Sequence, residues 1–145
     1  MLTVEEKNLK FLLKIWIFSF LLAAAAFLVA PNLVIRFLNT VSLKLFPHLI
    51  PLPESTERFW LSLSGSLMVT LLFLLFGAVS DIARKKDLVF YVLVSKIAST
   101  VLFLSFFFLH QKSFTYILGG WVDGSIFLVT LFFYRRAVAA GYLQL

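Results

Sequence analysis

The sequence predicts an all-α integral membrane protein, a single domain of 145 residues in which four transmembrane helices form a bundle. Three observations predict this class. Of the residues, 61% are apolar and only 14% are charged, whereas a soluble domain of this size needs more polar surface to cover its core. The mean hydropathy is +1.00. The polar residues also gather in short segments between apolar runs of about 20 residues, which is the length that crosses a bilayer.

Composition also restricts the partners and the chemistry. The chain has no cysteine, which excludes disulfides, thiolate metal sites and thiol redox chemistry. The net charge of +6 resides in short segments that flank the apolar runs, as expected of anchors that face anionic lipid. We therefore expect the lipid bilayer, and not nucleic acid, as a partner.

The first transmembrane helix is predicted over about 11–30, where an apolar run reaches the length of a full span. A cleavable signal peptide is the alternative interpretation, since basic residues precede an apolar core. The length of the run and the acids Glu5 and Glu6 before it disfavour that alternative. Pro31 then ends the helix.

The next segment, about 33–46, is too polar to span the membrane and is predicted to be an amphipathic helix in the membrane interface. Its polar face consists of Asn32, Arg36, Thr40 and Lys44. A structured loop packed on the bundle is a compatible alternative. The prolines between Pro47 and Pro53 then predict an extended surface loop.

The second, third and fourth transmembrane helices are predicted over about 59–80, about 88–110 and about 114–134. A charged turn over 81–87 separates the second helix from the third, and Arg135 and Arg136 close the fourth. With four spans, the N-terminus, this turn and the C-terminus share one side.

The distribution of Lys and Arg predicts the orientation. The side of the two termini holds Lys7, Lys10, Lys14, Arg84, Lys85, Lys86, Arg135 and Arg136. The opposite side holds Arg36, Lys44, Arg58 and Lys112. Because cytoplasmic loops carry the excess of positive charge, both termini are predicted to be cytoplasmic.

Two charged residues lie deep inside the predicted spans, whereas Lys14 lies near the start of the first span, within reach of the membrane interface. Counted along their helices, Lys96 lies about 12 Å and Asp123 about 16 Å from the cytoplasmic end. A lone charge at mid-bilayer costs about 3 kcal/mol or more, so we expect the two side chains to form an ion pair between the third and fourth helices. Further hydrogen-bond donors to the pair are expected from Ser95, Ser99, Ser66 or Thr70.

Gly120 and Gly124 form a GxxxG pattern around Asp123, which predicts a close approach between the fourth helix and a neighbour. Two interpretations of the buried pair stay open. The pair fixes which helix faces which, or it serves as a proton relay, a ligand anchor or a quinone-site group.

No HExxH, GxGxxG, P-loop or GxSxG motif is present in the sequence, and this disfavours an enzyme. His48 and His110 are the only histidines, and both are predicted on the outer side. A haem or metal site is one interpretation of them, and two interfacial side chains without a ligand are the favoured one.

Three short segments are similar to the small four-helix membrane proteins of the DoxX-like group. The residues that resemble the group are Trp60, Ser62, Ser64, Gly65 and Ser66, then Leu93-Val-Ser-Lys96-Ile-Ala-Ser99, then Val122-Asp123-Gly124. The likeness covers about half of the chain. Since the namesake is a membrane subunit of a thiosulfate:quinone oxidoreductase, the resemblance implies a quinone-linked role. The cysteine of some redox members is absent here.

Three functions remain open. The first is an accessory or structural subunit of a larger membrane complex, with other membrane chains or further copies of itself as partners. The second is a binding protein or enzyme for a small hydrophobic ligand, with Asp123 and Lys96 at the floor of its pocket. A quinone, a lipid or an isoprenoid pigment is the expected ligand or cofactor in that case. The third, a small transporter, is disfavoured because no repeat or broken helix pair is evident.

Overall fold

The computed structural model describes residues 2–54, 56 and 58–142, without the side chains of Arg58, Trp60 and Tyr142. All regular secondary structure in these ranges is α-helical. The helices are α1 (Val4–Val29), α2 (Pro31–Leu45), α3 (Arg58–Ser80), α4 (Lys86–Leu109) and α5 (Phe114–Tyr142). The predicted all-helical class is therefore confirmed.

Helix α1 begins at Val4, well before the apolar run that predicted it. The Thr3 hydroxyl accepts a hydrogen bond from the backbone N–H of Glu6 at 3.0 Å. The Glu6 carboxylate accepts one in return from the backbone N–H of Thr3, also at 3.0 Å. This capping box satisfies two of the N–H groups that a helix start leaves unpaired, so the polar N-terminal segment is helical as well.

Helix α2 follows α1 after one residue, Ala30, whose backbone leaves the helical region with φ −140° and ψ 59°. Pro31 opens the new helix, a position where its missing N–H costs nothing. Within α2 only Ser42 is buried, and the helix packs on α1 and α5. Its exposed large apolar side chains are Leu33, Phe37, Leu43 and Leu45.

The proline-rich segment after α2 is tied to the protein on two sides. The Asn39 side chain bonds both backbone groups of Leu52, donating to its carbonyl at 2.8 Å and accepting from its N–H at 2.9 Å. The backbone N–H of Ile50 donates to the carbonyl of Lys112, in the turn before α5, at 2.9 Å. Residues 46–54 therefore form an ordered strap between α2 and the α4–α5 turn.

Helix α5 continues to Tyr142, beyond the predicted end at Tyr134. The charged pair Arg135-Arg136 ends the apolar run but does not end the helix, because arginine and the alanines that follow favour helix. Ala137 is fully buried within this extension. The predicted end of the transmembrane span at Tyr134 and the end of the helix at Tyr142 are different boundaries, because hydropathy follows the apolar run and not the helix.

The four long helices form a ring in which each contacts two neighbours, in the order α1, α3, α4, α5 and back to α1. We call the end of the bundle that holds Glu6, Ile82 and Ala137 the base, and the end that holds α2 and the strap the loop end. One apolar cluster fills the bundle from the base to the middle. Its buried members are Leu9, Leu13, Ile17, Phe20, Leu72, Leu75, Ala78, Ile82, Val89, Val92, Ile126 and Ala137.

Four helices of the described part are long and apolar enough to cross a membrane: Val4–Val29, Leu61–Ser80, Lys86–Leu109 and Phe114–Ala140. Their outward faces are rich in exposed large apolar side chains, for example Phe18, Phe73 and Phe108. A water-soluble protein avoids continuous apolar surface of this kind. The arrangement is consistent with an integral membrane protein.

Candidate functional site

Helices α4 and α5 approach each other closely along a line of glycines. A Cβ atom added at Gly120 would lie 3.1 Å from the Leu104 side chain, and one added at Gly124 would lie 3.4 Å from that of Thr100. Gly119 would meet the Phe103 ring at 2.9 Å. The structure thus places both glycines of the GxxxG pattern against α4, where a larger side chain would push the helices apart.

The predicted buried ion pair lies across this contact and is confirmed. The Lys96 Nζ is 2.8 Å from the Asp123 Oδ1, and the two side chains are only 10% and 14% exposed. The Ser99 hydroxyl donates to the other carboxylate oxygen, Oδ2. Both oxygens of Asp123 are therefore hydrogen-bonded within the chain, as a buried carboxylate requires.

The ammonium of Lys96 has a further contact on the opposite side of the bundle. Its Nζ lies 4.4 Å from the centroid of the Phe20 ring. Phe20 belongs to α1, which is diagonal to α4 in the ring of helices. The lysine side chain therefore points across the centre of the bundle, and a cation–π contact closes the side of the ammonium that Asp123 leaves open.

A second polar contact joins α1 to α5 nearer the base. The indole N–H of Trp16 donates to the Thr130 hydroxyl at 3.0 Å, and Thr130 is 1% exposed. This pair was not predicted from the sequence. The available signal was the amphipathic indole, since a partly buried tryptophan usually finds an acceptor for its N–H.

A second buried ion pair, which was not predicted from the sequence either, lies at the base. The Lys86 Nζ is 2.7 Å from the Glu6 Oε1, with side-chain exposures of 18% and 6%. The same ammonium lies 3.4 Å from the carbonyl oxygen of Ala137. One lysine therefore joins the ends of α1, α4 and α5. The capping sequence Thr3-x-x-Glu6 was the signal that Glu6 has a local structural role.

Ser66 and Thr70 lie away from the ion pair. Both are exposed on α3. The Ser66 hydroxyl donates to the Leu63 carbonyl at 2.8 Å, and the Thr70 hydroxyl donates to the Ser66 carbonyl at 2.9 Å. The expectation that they assist Asp123 is wrong because α3 turns Leu72 and its neighbours inward. Ser95 is half-buried on α4, and the donor at the carboxylate is Ser99.

The histidines lie apart from the ion pair, and both are exposed. The ring of His48 lies edge-on to Phe46 at 6.3 Å, and that of His110 lies 5.4 Å from Phe106. Across the part of the chain that the structure describes, no three His, Asp or Glu side chains are grouped so that they could hold a metal ion.

A cavity of about 250 Å³ lies between α1 and α3 toward the loop end. Its lining residues are Phe27, Leu28, Leu61, Ser64, Gly65 and Met68. Phe27 is two turns beyond Phe20 along α1, so the cavity is about 10 Å nearer the loop end than the Lys96 ammonium. The cavity is nearly all apolar, and the ion pair does not form its floor.

No protein-family model, curated protein or solved structure matches this chain significantly. The resemblance to the DoxX-like group therefore stays a prediction based on its short motifs.

Proposed function

We propose that this chain is a small integral membrane protein that serves as an accessory or structural subunit of a larger membrane complex. Four apolar helices of sufficient length support the insertion. The excess of Lys and Arg at the base supports an orientation with both termini in the cytoplasm. In this arrangement α2 lies in the opposite membrane interface, where its exposed Leu33 and Phe37 contact lipid.

The observation that carries the proposal is that the partners of the Lys96–Asp123 pair, among the described residues, come from the bundle itself. Both carboxylate oxygens are bonded within the chain, to Lys96 and to Ser99. The Phe20 ring covers the ammonium from across the bundle. A site that binds substrate or relays protons needs a polar group that a substrate or a water molecule can reach. A group whose partners all come from the bundle instead stabilises one arrangement of helices.

The exposed face of α3 supports the role of a subunit. Ser62, Ser66 and Thr70 lie on that face at intervals of one helical turn. Helices in lipid associate through small and hydroxylated residues because apolar side chains gain nothing by leaving lipid tails. This hydroxyl face fits the packing of a helix from another chain better than it fits acyl chains.

Native mass spectrometry after gentle extraction from the source membrane tests the proposal. We expect the intact particle to contain fixed partner chains in integral ratios. The matched control is a chain with Ser62→Leu, Ser66→Leu and Thr70→Val, which should fold but lose those partners. A particle that contains this chain alone, with wild-type and substituted proteins behaving alike, would refute the subunit assignment.

The apolar cavity between α1 and α3 favours a second candidate, a binding protein for a hydrophobic chain such as that of a quinone, an isoprenoid or a lipid. Gly65 in its wall lets α1 pack closely on α3, since a Cβ added to it would lie 2.9 Å from the Leu28 side chain. The same spectra separate the two functions. One bound molecule of constant mass, lost on Met68→Trp and retained on the exposed substitution Leu67→Trp, would favour ligand binding and identify its class.

A further inference from the structure

One face of α1 carries three lysines near the base. Lys7, Lys10 and Lys14 follow one another at intervals of three and four residues, which places them in a row along the helix. Lys7 and Lys14 are exposed and Lys10 is half-buried. Among the described residues, no carboxylate lies within ion-pair distance of any of the three. The row is therefore an uncompensated positive charge.

The row faces the seam between α1 and α3. With Leu13 pointing into the core, a helical step of 100° places Lys10 about 60° and Lys14 about 100° to one side of it. Trp16, which bonds to Thr130 of α5, lies about 60° to the other side. Since the neighbours of α1 in the ring are α5 and α3, the lysine row lies on the α3 side.

The antiparallel register of α1 and α3 brings a second group of cations to the same place. Leu28 lies against Gly65, so each step back along α1 corresponds to a step forward along α3. Lys14 is then level with Val79, and the turn that follows α3 lies beside Lys10. In that turn the Lys85 ammonium folds back to the Ser80 hydroxyl at 3.3 Å.

The acids at this end leave the cations largely uncompensated. Glu6 is bound to Lys86 inside the base, and Glu5 lies on the α5 side of α1, about 80° from the core direction. Asp81 reaches Arg84 only at 3.9 Å, and the Arg84 side chain is 88% exposed. By this register Lys10 and Lys14 lie at the level of the turn that carries Arg84 and Lys85, and we call these four residues the basic seam.

We propose that this basic seam binds the phosphate headgroup of an anionic phospholipid. The inference rests on the proposed membrane insertion, which would place the seam at the level of the cytoplasmic headgroups. Lysine ammonium groups on separate helices attract a phosphate as point charges, and each lysine near an anionic surface strengthens binding about fivefold. Exposed apolar side chains of the two helices, among them Phe11 on α1 and Phe76 on α3, provide contact for the acyl chains.

Lipid retention measured by native mass spectrometry tests the proposal. The protein is purified in a neutral detergent and supplied with equal amounts of phosphatidylglycerol and phosphatidylcholine. We expect the wild type to retain phosphatidylglycerol preferentially, with a preference that falls as salt is raised. The double variant Lys10→Gln/Lys14→Gln should reduce that preference about 25-fold, since two lysines contribute about fivefold each.

Three controls accompany the measurement. Lys44→Gln/Lys112→Gln removes the same charge from the loop end and should leave the preference unchanged. Lys10→Arg/Lys14→Arg keeps the charge and should keep most of the preference. Arg84→Gln/Lys85→Gln removes the two cations of the seam that follow α3 and should also reduce the preference for phosphatidylglycerol. Agreement between the two double variants would show that the loss in the first is not due to misfolding.

Equal retention of the two lipids by the wild type, or equal losses in the seam and loop-end variants, would overturn the proposal. Competition by inorganic phosphate as strong as that by phosphatidylglycerol would also overturn it, because it would indicate a site for free phosphate. Resistance to alkaline carbonate extraction reports membrane insertion separately. A protein that resists extraction but shows no preference for phosphatidylglycerol refutes the lipid site while the insertion stands.

Discussion

Substitution of Asp123 by Asn tests the role of the buried pair most directly. The change keeps the volume and the hydrogen bond from Ser99 but removes the charge that faces the Lys96 ammonium at 2.8 Å. Since the lysine side chain is 10% exposed, its charge is left without a counterion in the bundle. Breaking a buried pair costs about 3–5 kcal/mol in soluble proteins, and insertion scales give about 3 kcal/mol for a lone lysine at mid-bilayer.

We therefore expect Asp123→Asn to lower the free energy of unfolding by about 3 kcal/mol, the value that both estimates share. For a chain of this size the loss corresponds to a fall in Tm of roughly 10 °C. The measurement is thermal unfolding of the protein in detergent, followed by tryptophan fluorescence, together with the yield of monodisperse protein.

Two further variants separate a charge effect from general damage. Asp87→Asn removes an exposed carboxylate of α4 and should leave Tm unchanged. Lys96→Met/Asp123→Leu removes both charges at once and should recover most of the stability, because a well-packed apolar replacement of an ion pair is often neutral. The reasoning fails if Asp123→Asn unfolds at the wild-type temperature, or if the double variant is as unstable as the single one.

Three other outcomes follow from the contacts. Gly120→Val should separate α4 from α5 and sharply reduce the yield of folded protein, whereas a full yield in detergent would contradict the close approach. Trp16→Phe should cost about 1 kcal/mol, because it leaves the buried Thr130 hydroxyl without its donor; no change in chemical denaturation would exclude that bond. The Arg36 guanidinium lowers the pKa of the Glu54 carboxyl through their hydrogen bonds. Their contact therefore stabilises the strap fully at pH values above the pKa of a free glutamate. This stabilisation is lost as the pH falls through the lowered pKa of Glu54 in the folded protein. The protection factors of the amides in residues 46–54, which are corrected for the intrinsic dependence of exchange on pH, should then fall on acidification in the wild type but stay constant in Glu54→Gln.

The buried ion pair is a tertiary contact of this protein that could be predicted from the sequence. Two opposite charges inside apolar runs are expected to pair, because each alone is costly in an apolar environment. The rise per residue of a helix placed Lys96 and Asp123 at similar depth. Depth and the cost of a lone charge were enough to predict the partners. Gly120 and Gly124 were predictable for a related reason, since small residues at helical spacing mark the surfaces where helices in lipid pack. Length and hydropathy likewise determined the helical class.

The tertiary structure decided how each helix is turned about its axis and which helices are neighbours. Helix α3 carries Leu72 on its buried side and Phe73 on its exposed side, so apolar character does not distinguish its faces. For this reason the sequence could not show that Ser66 points outward, nor that Phe20 covers Lys96 from the opposite helix. The Glu6–Lys86 pair depends on three helix ends that meet only after the bundle forms. Hydropathy separates the apolar stretch of each helix from its polar ends but does not distinguish one face from another, and only packing against the other helices selects the rotation.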